Sequence, residues 1–143
     1  MISTATALRL KQAGLIWQPA VLDCFALSGC DLDDKVFVIS DMLVTVEKLQ
    51  DLQVVSFQGA SEWALDYLII SEAIWLPSEE QLRKLLEAAL IAEGNISLQL
   101  VSRISSCLCE IVYRGNKLAF EAVDASEAYA AALLFILKGS LKE

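Results

Sequence analysis

The stretch "CLCEIVYRG", residues 107–115, sets two thiols beside a carboxylate, the residue types from which zinc and redox centres are made. Strand geometry separates them, because successive side chains of an extended chain face opposite sides. Cys107, Cys109, Ile111 and Tyr113 then form one mostly apolar row, while Leu108, Glu110, Val112 and Arg114 form the other. A four-ligand zinc site asks for matched pairs of cysteines or for histidines, and the remaining thiols, Cys24 and Cys30, have five residues between them. Cys-x-Cys on a strand also lacks the helix N-terminus that lowers a thiol pKa. The expectation is that Cys107 and Cys109 are reduced, metal-free and buried beneath the last helix, with Glu110 on the opposite face.

Carboxylates are the other source of chemistry. Asp31, Asp33, Asp34 and Asp41 could hold a hard cation, although their spacing does not make an EF-hand, and a solvated hairpin loop accounts for them more simply. Glu62 and Asp66 lie four apart on an expected helix and share a face, where like charges cost about 0.2–0.5 kcal/mol unless a partner intervenes. Arg83, Lys84, Arg103 or a divalent ion could be that partner. Glu62, Asp66, Asp33 and Asp34 are thus the metal-ligand candidates, set against ordinary surface charge. The chain contains no histidine, which removes Ser-His-Asp and Cys-His catalysis, imidazole acid–base work and histidine-bearing metal sites. No catalytic set and no cofactor is assigned.

Composition narrows the partners. The 143 residues suit one α+β domain (residues 1–143) with a sizeable core. A hydrophobic fraction of 56% exceeds the roughly 45–50% of ordinary domains, so the default expectation is a homo-oligomer or a protein partner that covers apolar surface. A net charge of −8 repels phosphate backbones and anionic membranes, so neither nucleic acid nor membrane is expected to bind. The N-terminal "MISTATALRLKQAG" has no signal-peptide core, and "AYAAALLFIL" is far short of the roughly 20 residues that span a bilayer. A cytoplasmic protein with reduced thiols follows.

The elements that would position these residues read as follows. Ala7, Leu8 and Leu10 before Gly14 make a short opening helix. Cys24–Leu27 and Lys35–Ser40 flank "SGCDLDD" as a hairpin. Leu43, Val46 and Leu49 permit a short helix before a strand at Val54, Val55 and Phe57. Ala60, Trp63, Ala64, Tyr67, Leu68 and Ile70 recur at helical spacing and predict a buried helix. Ser78 and Gln81 make a capping box for a helix with the stripe Leu82, Leu85, Leu86, Ala89 and Leu90, ended by Gly94 and Asn95. "ISLQLVSR", "CLCEIVYRG" and "KLAFEAV" follow as an antiparallel meander, turning the second time at Arg114, Gly115 and Asn116. The last helix, capped by Asp124 or Ser126, is apolar nearly all round and should pack on the meander, and it could also contact a second subunit. Helix, three strands and helix is the order of double-stranded RNA-binding domains, but the basic groove-reading residues are missing.

The segments "LRLKQAGLIW", "DDKVFVISDM", "EWALDYLI", "IWLPSEEQL" and "ASEAYAAALL" together resemble a small bacterial family of uncharacterised proteins. Some of its members carry the label pilus assembly protein (CpaE), a name that properly belongs to a much larger MinD-like ATPase. The present chain has no GxxxxGK[ST] phosphate loop, so the resemblance implies a compact bacterial domain without ATPase chemistry.

Two functions stand at this stage. The first is a non-enzymatic protein–protein interaction or accessory module, expected to be a dimer, with Trp75, Pro77, Leu134 and Phe135 as surface candidates and Trp63 and Tyr67 in the core. The second is a small carboxylate-dependent divalent-metal enzyme. Acidic mimicry of a nucleic acid would need one continuous carboxylate stripe, and the sequence scatters these residues over several segments.

Overall fold

Ser3 begins the first helix, α1 (Thr4–Gln12), by accepting from the Thr6 N–H. Gly14, at φ +101°, ends it: its N–H donates to the Lys11 carbonyl and the next N–H, of Leu15, donates back to Leu10. This pair of bonds is a Schellman motif, which needs a left-handed residue and so favours glycine. The computed structural model describes residues 1–27, 35–40, 44–50, 52–57, 67–95 and 97–141. The fold class is α+β, and the chain forms two compact units, Met1–Leu15 with Pro77–Glu143 and Ile16–Leu76.

In the first unit, α2 (Glu79–Ala92) starts with the complete capping box, Gln81 N–H donating to Ser78 Oγ and Ser78 N–H to Gln81 Oε1. It ends in a second Schellman motif at Gly94 (φ +79°), with the Asn95 N–H donating to the Leu90 carbonyl. The meander comprises β7 (Leu98–Ser102), β8 (Cys107–Tyr113) and β9 (Asn116–Ala122), the strands β1 to β6 belonging to the other unit. Arg114 (φ +50°) and Gly115 (φ +80°) make the two-residue turn that sets Tyr113 opposite Asn116. Asp124 caps α3 (Ala125–Leu141) by accepting from the Glu127 N–H at 2.8 Å. This helix packs on β8, β9, α1 and α2. Most of its apolar girth is thus covered within the unit, where Ala128, Ala130, Ala132, Leu133 and Ile136 are buried, while Phe135 is exposed.

The second unit holds two antiparallel sheets. One has the order β2-β1-β6, from β1 (Cys24–Leu27), β2 (Val36–Val38) and β6 (Ala73–Leu76); the expected hairpin pairs β1 with β2. The other has the order β3-β4-β5, from β3 (Val44–Leu49), β4 (Leu52–Phe57) and β5 (Tyr67–Ile69), with one 3₁₀ turn at Ile70–Glu72 leading into β6.

Two helix expectations change here. The segment through Val46 and Leu49 is a strand: Val44, Thr45 and Val46 favour extended chain, and the ladder with β4 closes at Leu49 and Leu52 beside Gln50 at φ +51°. The helix expected through Ile70 does not include Tyr67–Ile69, which pairs with Val54–Ser56 of β4. Sheet pairing overrides helical spacing there, because Tyr67 and Ile69 are strand-favouring residues and β4 offers them a ladder. Ala60, Trp63 and Ala64 lie outside the described residues.

Candidate functional site

The cysteine row takes the strand geometry. Along β8, Cys109, Ile111 and Tyr113 are buried and alternate with half-buried Leu108, Glu110 and Val112. Cys109 has no exposed surface, and Cys107 at the strand's start is half-buried. Burial pushes the Cys109 thiol up to about 11, with a smaller contribution from the Glu110 carboxylate. At neutral pH it is therefore a protonated thiol, which behaves as a small apolar side chain. Among the described residues Cys24, Cys107 and Cys109 are free, and no three His, Cys, Asp or Glu side chains are placed to share a metal. Cys30, Asp31, Asp33, Asp34, Asp41, Glu62 and Asp66 lie outside the described residues.

The surface candidates divide. Phe135 is exposed on α3, edging the Tyr113 ring at 6.1 Å and lying 5.6 Å from Phe120. Leu134 beside it is buried. Pro77 is fully buried, a correction to its expected partial exposure. It sits between β6 and the α2 cap, and its ring, which has no N–H to satisfy, can be enclosed without leaving an unpaired donor.

Trp75 is half-buried in an aromatic row. Phe25 of β1 stands opposite Phe37 of β2 and Trp75 of β6 at one register position. Trp17 stacks on Trp75 at 6.3 Å and meets Phe25 at 5.8 Å. Asp23, itself buried, orients Trp17 by accepting from its Nε1 at 2.9 Å and from the Ala20 N–H at 3.1 Å. Cross-strand aromatics with a fixed indole make a packed face, in which Phe25 is fully buried and Trp17 half-buried.

The first unit offers a more open surface. β7 pairs only with β8 among the described residues, so its other side is a sheet edge. Beside it the C-terminal part of α2 and the start of β7 bound a cleft of about 300 Å³ lined by Glu87, Leu90, Ile91, Asn95, Ser97 and Leu98. Leu90 is buried, whereas Ile91 is 67% exposed. The Schellman motif fixes the Asn95 backbone, and the Asn95 Nδ2 is buried with no hydrogen-bond partner among the described residues. Glu87 is ion-paired with Arg83 at 3.1 Å on the helix surface. On the sheet's outer face Val101 is 39% exposed. The arrangement offers backbone hydrogen-bonding groups, apolar contact and one amide donor, which is the equipment of a binding surface.

Sequence reasoning did not single out Ile91 or Val101, and it took Asn95 only as a helix end. Ile91 could have been noticed because it falls outside the Leu82, Leu86, Leu90 stripe, and β7 because "LQLVS" carries no charge. Comparison of the chain with protein-family models, curated proteins and solved structures finds no match.

Proposed function

We propose that the chain is a non-enzymatic cytoplasmic interaction or accessory module that works by covering exposed sheet edge and apolar side chains against another protein surface. The observation that carries this reading is the β7 edge, with Val101 exposed on it and Ile91 exposed on the adjoining cleft. In the second unit β2 pairs only with β1 among the described strands, and its Val36 and Val38 are exposed. Open edges of this kind recruit strands or other apolar surfaces, because their backbone groups and side chains are more stable covered than hydrated.

The resemblance to small bacterial proteins labelled for pilus assembly supports an accessory role without nucleotide hydrolysis, since the sequence has no phosphate loop. The net charge of −8 disfavours nucleic acid as the partner. Two masses test the proposal: that of the purified chain by light scattering over a range of concentrations, and that of the native species in a cell extract by sizing. An assembly larger than one chain in either sample is the expected result. A single-chain mass in both would end the reading.

A further inference from the structure

The two edges of the first unit's sheet differ in a way that points to the partner. β9 carries Lys117 and Glu121, the charged side chains with which proteins block edge pairing, whereas β7 (Leu98–Ser102) carries none. In a chain of net charge −8, that charge-free strand lets a second copy approach with no like charges meeting on the ladder, and Glu87 of the adjoining cleft is already paired with Arg83. The strand is also compatible with itself. Antiparallel pairing centred on Leu100 sets Gln99 opposite Val101 and Leu98 opposite Ser102, so facing residues come from the same side of the sheet. The row Leu98, Leu100 and Ser102, which shares its face with Cys109 and Ile111, would run on unbroken into the second copy.

We infer that β7 is a self-association edge: two copies join β7 to β7 antiparallel, making one continuous sheet, with Ile91 and the adjoining cleft giving apolar contact beside the ladder. This inference rests on the interaction-module reading and names its partner as a second copy of the chain. β2, the charge-free edge of the other unit, is only three residues long and offers fewer ladder bonds.

Sedimentation velocity on the full chain tests the inference. Val101→Lys and Ile91→Lys alter exposed side chains and should leave the fold intact, as far-UV circular dichroism checks. Each is expected to weaken dimerisation by at least about 10-fold by placing charge on the edge. Ile104→Lys, at a fully exposed turn, and Val38→Lys, on β2, should leave it unchanged. Amides of β7 should gain hydrogen-exchange protection as concentration rises. A dimer indifferent to both β7-side variants, or lost with Val38→Lys alone, overturns the inference while the module reading stands. A purified chain that stays monomeric also overturns it, and the module reading then depends on the extract measurement.

Discussion

Glu127 ties the start of α3 to the start of α1: its Oε2 accepts from Thr6 Oγ1 at 2.8 Å and its Oε1 from the Ser3 N–H at 2.7 Å. The same Thr6 hydroxyl also accepts from Ser3 Oγ and from Arg9. A carboxylate at a helix N-terminus is favoured by the dipole, and here one group serves two such ends. Glu127→Ala leaves the buried Thr6 hydroxyl and a cap N–H short of an acceptor. It should lower unfolding free energy by about 1–3 kcal/mol in urea titration. Thr6→Val removes the donor as well as the bond, so adding it to Glu127→Ala should cost less than the sum of the single changes.

Tyr113 presents the opposite case. Its ring is well placed, edge-on to Phe135 and under the Arg114 guanidinium at 5.1 Å, but its buried hydroxyl has no partner among the described residues. Removing an unsatisfied polar group while keeping the ring avoids a desolvation cost of about 1–3 kcal/mol. Tyr113→Phe should therefore match or exceed the wild type in denaturant midpoint, and a clear loss of stability would show that the hydroxyl has an acceptor.

The buried Cys109 thiol makes stability depend on alkaline pH. Burial raises its folded pKa from 9.0 to about 11, so the unfolded chain releases this proton first. Above pH 9 the unfolded state binds fewer protons than the folded state, and stability must fall with pH until about pH 11. The contribution is fully present below pH 9. Denaturant titrations across this window should show a shallower decline in Cys109→Ala than in wild type, whatever the two proteins' absolute stabilities. Thiol labelling at neutral pH should reach half-buried Cys107 well before Cys109.

In the second unit, Asp23 is the group on which the Trp17 orientation depends. Asp23→Ala would strand the Trp17 Nε1 and the Ala20 N–H, at a cost of about 1–3 kcal/mol. Trp17 should then loosen from Trp75, and the tryptophan near-UV circular dichroism should weaken. An unchanged near-UV spectrum would place the orienting force in aromatic packing alone.

What the sequence by itself determined was what neighbouring residues settle among themselves. Ser78 and Gln81 are three apart, so the capping box was visible at once, and so were the Gly14 and Gly94 helix stops and the alternating row of Cys109, Ile111 and Tyr113. Only the tertiary structure decided that Val44–Leu49 and Tyr67–Ile69 are strands, because both depend on the ladder with β4, and local spacing fitted a helix equally well. The final helix shows the same limit. Its all-round apolar surface called for cover without saying where from, and only the fold shows that α1, α2 and the sheet take most of it while Phe135 stays exposed. The burial of Pro77 and the bond between Thr6 and Glu127, 121 residues apart, were equally out of reach. Caps and turns are decided over a few residues by backbone geometry and nearby hydrogen bonds, whereas burial and sheet pairing depend on partners that only the folded chain brings together.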